Sequence, residues 1–202
     1  DDTVTVAFRT SGTSTDGPDY TDGSGVVDDI TISSGATTVT VNFTPTDDST
    51  YEDDETATIA ITGVSGGGAS ESGTQTVTIT ISENESAPTV ALSVSATSIA
   101  ENAGSSLTLT ATLSGAASEA VTVSLSTSST ATEGTEYTDG SGTIDDITIS
   151  AGSTTGTVNF TPTDDSVYEG NETATIAISG VSGADATENG TQAVTITITE
   201  NE

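Results

Sequence analysis

Two short acidic runs are the parts of this chain best suited to chemistry. In TPTDDSVYEGNETATIAISG, the residues Asp164, Asp165, Glu169 and Glu172 crowd around Tyr168. Nearly the same words occur earlier as TPTDDSTYEDDETATIAITG, with Asp47, Asp48, Glu52, Asp54 and Glu55 around Tyr51. No lysine lies near either run to neutralise it. Carboxylates held that close repel one another unless a cation sits between them. Hard oxygen donors at this density suit Ca²⁺, which accepts six to eight oxygens in loose geometry. The same residues also fit a solvated acidic loop, so the runs alone leave both readings open.

The composition narrows the field. The chain carries 31 acidic residues against a single cation, Arg9, for a formal charge of -30. Nucleic acid and anionic membranes both require a basic patch, so neither is expected as a partner. Such a charge also opposes compaction, which bound divalent cations or high salt would relieve. Cysteine and histidine are absent. That removes disulfides, thiolate metal sites and the Ser-His and Cys-His nucleophile pairs. Carboxylate pairs could serve glycoside hydrolysis. Three Phe and four Tyr are few to line a sugar cleft, however, and no enzyme activity is expected. No apolar run is long enough for a transmembrane helix, and no signal peptide is visible. A mature secreted protein, or a piece of a longer one, fits that pattern.

An internal repeat organises the chain. Residues 1–85 align without a gap on residues 118–202, with 59 of 85 positions identical. Two modules follow, 1–85 and 86–202, joined near Ser86-Ala87-Pro88. Only the second has an opening segment, residues 86–117. It reads as two strands, TVALSVS (89–95) and SLTLTATLS (106–114), around a turn SIAENAG carrying Glu101. The first module is therefore expected to lack its first two strands. Period-two alternation places further strands at 121–127, 146–150, 155–163, 173–181 and 193–199, and at 4–10, 29–33, 38–46, 56–64 and 76–82. Apolar residues on one face and Thr or Ser on the other imply antiparallel sheets with one buried face. The expected fold is all-β, with tandem immunoglobulin-like sandwiches of about seven strands per complete module.

In this order, SIAENAG, GTEYTDGSG, TPTDDSVYEGNET, a TVTIT-like strand and an acidic exit resemble the Calx-beta domain. The resemblance covers all of the second module and all of the first that is present. It implies a seven-stranded sandwich with Ca²⁺ held at one end by loops and by the exit of the last strand. Carried onto the second module, it implies ligands from Glu101, Glu136, Asp164, Asp165, the Val167 carbonyl, Glu169, Glu172, Glu200 and Glu202. On the first it implies Asp19, Asp47, Asp48, the Thr50 carbonyl, Glu52, Glu55, Glu83 and Glu85, with no counterpart of Glu101. The family's calcium-binding pattern favours three Asp at the exit. Glu-Asn-Glu here carries one charge fewer on longer arms.

The functional expectation is an extracellular, calcium-stiffened spacer in a surface adhesin, filament or matrix protein. Its partners would be neighbouring repeats, neighbouring chains or a cell-surface or matrix component. A calcium-sensing module and a carbohydrate- or protein-binding module are the alternatives. Other signals read as structural. Asp28-Asp29 and Asp145-Asp146 look like capped strand starts, and the DGSG runs at 22–25 and 139–142 look like turns. The outward Thr rows read as solvent-facing strand residues.

Overall fold

A computed structural model describes residues 2–202, and among them it contains strands, turns and no helix. The chain forms two compact units. One comprises residues 1–48 and 53–84, the other residues 49–52 and 85–202.

In the first unit the strands are β1 (Val4–Gly12), β2 (Tyr20–Thr21), β3 (Ile30–Ile32), β4 (Thr44–Pro45), β5 (Glu55–Ser65) and β6 (Thr76–Ile81). The longer ones follow the Val/Ile–Thr alternation, which puts β-branched side chains on a pleated, half-buried face. They form one antiparallel sheet in the order β3-β1-β5-β6, beside a separate β2-β4 pair. The core is small. Tyr20, Val27 and Ala57 are buried, and Phe8, Phe43, Ile59 and Ile81 pack against them only partly covered. Tyr20 stacks on Phe43 at 4.7 Å between ring centroids.

The second unit contains β7 (Thr89–Val94), β8 (Ser98–Ala100), β9 (Leu107–Leu113), β10 (Val121–Ser129) and β11 (Tyr137–Thr138). It continues with β12 (Ile147–Ile149), β13 (Thr155–Pro162), β14 (Glu172–Ser182), β15 (Thr187–Glu188) and β16 (Ala193–Thr199). Two five-stranded sheets result, β12-β10-β14-β16-β8 and β11-β13-β9-β7-β15. Their apolar faces meet in one core, with Val121, Ile176 and Ile196 from the first sheet and Val90, Leu109 and Phe160 from the second. Each of these is fully buried. Tyr137 stacks on Phe160 at 4.7 Å, as its counterpart does in the first unit.

The strand expectations need three corrections. The opening segment makes three strands, because SIA of the expected turn forms β8. That strand pairs in parallel with β16, while β7 lies in the other sheet, so the run changes sheets at residues 95–97. The short β15, which pairs in parallel with β7, was not anticipated. Third, the strand expected at 38–46 shrinks to Thr44–Pro45. Its counterpart β13 is held by a six-residue ladder to β9, and the described residues of the first unit offer no such neighbour. Val39 also stands where the second unit has Gly156. A Cβ at Gly156 would lie 2.6 Å from the Thr148 carbonyl oxygen, so valine cannot make that close approach.

The paired aspartates at 28–29 and 145–146 also have a local job. In each long β1- or β10-type strand the register shifts, at Ala7/Phe8 and at Ser124/Leu125. The amide freed at the shift donates to a carboxylate, Phe8 to Asp29 (3.0 Å) and Leu125 to Asp146 (3.1 Å). Such irregularities leave a ladder group needing another partner. The DGSG runs are turns, closed by Ser24 and Ser141 donating to Asp22 and Asp139.

Candidate metal centre

Four separated stretches of the second unit bring carboxylates to one end. The parallel β16–β8 ladder fixes the first two. The Glu101 amide, just past β8, donates to the Thr199 carbonyl (3.0 Å), which sets Glu101 beside the exit residues Glu200 and Glu202. Glu136 enters from the residue before β11. Its carbonyl accepts the Thr163 amide (2.8 Å), and its carboxylate accepts the Thr132 amide. The acidic loop 164–171 supplies Asp165 and Glu169, and Glu172 opens β14 opposite Ile198.

Two trios result. Glu101, Glu200 and Glu202 bring carboxylate oxygens within 4.8 Å of one another, as do Glu136, Glu169 and Glu172. Between them lies a pocket of about 10 Å³, lined by Glu101, Glu136, Asp165, Glu169, Glu172 and Glu200 together with Thr135, Thr163, Gly170 and Ile198. That is room for about one water-sized sphere. No lysine, arginine or histidine lines it.

Glu200 is the keystone of the main chain here. One of its oxygens accepts the amides of Glu169 (2.7 Å) and Gly170 (3.1 Å). The other accepts those of Asn201 (2.9 Å) and Glu202 (3.1 Å). Donors aimed at the ionised form hold its pKa down to about 2. In return the Glu200 amide donates to the Asn171 side chain (3.1 Å). The Asp165 amide donates to Glu101 (3.1 Å), and the Asp165 carboxylate accepts the Val167 amide (2.7 Å).

The remaining acids have the opposite character. The pKa values of Glu169 and Glu172 are raised, first by partial loss of water and then by the charges of neighbouring carboxylates, Glu136 and Glu101 among them. Glu202 is raised mainly by the hydrogen bond it shares with Glu200. The site thus holds negative charge that it does not itself neutralise. The donor set is all oxygen and carries no nitrogen or sulfur, which suits a hard divalent cation.

Asp164 and the Val167 carbonyl do not line the pocket. Asp164 acts through its charge on Glu202, and the Val167 side chain is 56 % exposed. In the first unit, Asp19 and Glu55 bring carboxylate oxygens within 4.8 Å of each other. Asp47 accepts from the Asn84 side chain (2.9 Å), and Asp54 accepts the Glu83 amide (2.9 Å). Thr50 and Glu52 fall in the stretch 49–52, which is counted with the second unit. The role of Asn171, and of Asp54 at the equivalent position, was missed in the sequence. Its only trace there is that both side chains offer an oxygen acceptor two residues after the loop's Glu.

The Calx-beta domain family model matches residues 1–85 and 83–202, which together span the chain. The chain belongs to the Calx-beta family. The all-oxygen donor set makes Ca²⁺ the ion to test at this site. Among solved structures, the apo-form Calx CBD1 domain is 18% identical and covers 56% of this chain and 99% of its own, with a TM-score of 0.46. CBD12 from CALX1.2 is 15% identical and covers 98% of this chain and 88% of its own, with a TM-score of 0.42. The calcium binding domain CBD12 of CALX1.1 is 15% identical, with coverages of 98% and 87% and a TM-score of 0.38. A search of curated proteins finds no match.

Proposed function

We propose that this Calx-beta chain is a calcium-stiffened spacer of an extracellular surface or matrix protein. One observation carries the reading: two carboxylate trios from four chain segments meet at one small pocket, lined by five of their six residues and by no side-chain cation. Glu101, Glu136, Asp165, Glu169, Glu172 and Glu202 would hold the ion. Glu200 would orient the loop and the exit through its four amide contacts, with lone pairs left for the ion. Bound Ca²⁺ would supply the positive charge that the crowded carboxylates lack. It would also tie the opening segment at Glu101 to the exit at Glu200 and Glu202, linking early and late parts of the unit's chain. That cross-link resists unfolding, and an ion at 100 times its dissociation constant adds about 2.7 kcal/mol to the state that binds it.

Extracellular calcium is abundant enough for weak sites of about 10⁻⁴–10⁻³ M. The strong acidity and absence of cysteine are compatible with that setting. A spacer of this kind performs no catalytic step and needs no nucleic-acid or membrane partner. Neighbouring repeats are its natural contacts. The competing reading is a sensor that changes shape on binding. Small-angle scattering combined with single-molecule pulling separates the two. A spacer shows a higher unfolding force in Ca²⁺ with a nearly constant radius of gyration. A large calcium-dependent change in scattering with unchanged force would contradict the spacer and support the sensor.

A further inference from the structure

The two units treat equivalent residues differently. In the second, β8 adds to the edge of β16 and β9 to β13, and Phe160, Ile176 and Ile196 are fully buried, with Ile178 8% exposed. Their counterparts Phe43, Ile59, Ile79 and Ile61 are only partly covered. β6 is the last strand of its sheet, and Val77 on it is 53% exposed. Beside it runs an apolar groove of about 370 Å³, lined by Phe8, Phe43, Ile59, Ile61, Val77 and Ile79 among others, with no charged residue in its wall. An open edge next to an apolar face is a template for another strand.

We propose that this groove and the β6 edge dock a β-segment with the chemistry of residues 86–117. Its short strand would join β6 in parallel as β8 joins β16. Its longer strand would pair with residues 38–43 and turn its Leu and Val side chains into the groove.

Two observations choose this occupant. Residues 86–117 cover the same side chains in the second unit, and the two repeats share 59 of 85 positions. Charge is the other. The groove is uncharged inside a chain of net charge -30, and residues 86–117 contain one ionisable side chain, Glu101. Few other stretches of this protein could approach without repulsion or without burying a carboxylate. A folded second copy is a poor occupant. Its own 86–117 segment is committed to its core, with Val90, Leu109 and Ala111 fully buried. The partner is therefore a segment of this sequence type free of a unit of its own. A Cβ at Gly156 would meet the Thr148 carbonyl oxygen at 2.6 Å, so with Val39 in its place the docked pairing along residues 38–43 would sit slightly farther from β3 than β13 lies from β12.

The test adds a synthetic peptide of residues 86–117 to the full chain and follows binding by calorimetry and amide exchange. The expected result is one peptide per chain, with exchange slowed at least roughly tenfold at residues 76–81 and unchanged in the second unit. A peptide carrying Leu92→Asp and Leu109→Asp should not bind. Fusing residues 86–117 ahead of Asp1 in the full chain gives the same readout where the free peptide aggregates. Unchanged exchange at 76–81 in both formats overturns the proposal. Equal binding of the charged peptide, or self-association of the chain with β6 protected, overturns it as well.

Discussion

Ile196 and Ile79 occupy the same place in two nearly identical strands, AVTITIT and TVTITI, yet only Ile196 is sealed from water. The Tyr137–Phe160 and Tyr20–Phe43 stacks are equally alike in geometry, and again only the first pair is wholly buried. Local sequence therefore sets the strand and the facing of its side chains. Burial is set by what lies across the sheet, which in the second unit is the opening segment. The acidic ends follow the same logic. Both units clamp their exit to the central loop, through Asn171 on Glu200 and Asp54 on Glu83. Only the second receives Glu101, because only there does β8 lie beside the last strand.

The strongest way to break this comparison is to truncate the paired isoleucines. Ile196→Ala should cost about 2–5 kcal/mol in the second unit, the range for a fully buried aliphatic. Ile79→Ala should cost the first unit less than half of that, since it fills no sealed space. Chemical denaturation of each variant, followed by amide exchange in the two units, checks it. Equal losses would mean that the first unit's groove is closed in solution.

Calcium sharpens the comparison next. The second unit should gain more from Ca²⁺ than the first, which has no counterpart of Glu101 in its described residues. Exchange protection at β14 and β16 should rise on calcium addition by more than at β5 and β6. Larger protection in the first unit would show that Asp19 and Glu55 anchor the better site.

Acidity gives a smaller effect whose sign follows from the carboxylates. Glu169, Glu172 and Glu202 have raised pKa values in the fold. They destabilise the calcium-free unit when ionised, and protonation relieves this as pH falls from neutral toward their folded values. Glu200, held at about 2, acts the other way: its contribution is complete above the ordinary glutamate range and is lost as pH falls through about 2. In chelator the melting midpoint of the second unit should therefore rise on mild acidification and fall again in strong acid. In saturating Ca²⁺ the mild rise should vanish, because the ion already neutralises those groups. A rise that persists in calcium would place the ion elsewhere.

The smallest effect expected is that of Asp54→Asn in the first unit. Asn171 already performs the same amide capture in the second, so the change should stay within about 0.5 kcal/mol by thermal melting. A larger loss would show that the charge of Asp54, rather than its acceptor oxygen, holds Glu83.

Much of this was legible in the sequence. The gapless repeat, the Val/Ile–Thr alternation and the Calx-beta motifs gave the all-β architecture; the acidic runs singled out Asp165, Glu169 and Glu172, and Glu136 came only with the Calx-beta resemblance. What escaped depends on partners distant in the chain. SIA reads as a turn until the edge of β16 makes it a strand. Residues 38–43 read as a strand, but in the first unit they have no ladder neighbour. Glu200 reads as one more ligand, whereas its oxygens are largely engaged by four amides. Asp29 and Asp146 read as strand starts, because nothing local reveals the register shift that their carboxylates satisfy.

The most direct test is calorimetric melting of the full chain in chelator and then in rising Ca²⁺, alongside Glu136→Gln/Glu172→Gln. Removing two of the crowded charges should raise the melting midpoint of the second unit in chelator. The wild-type chain should overtake the variant as calcium approaches the millimolar range, while the variant barely responds. A wild-type midpoint indifferent to millimolar Ca²⁺, or a variant that gains as much as wild type, would contradict a calcium site built from these carboxylates.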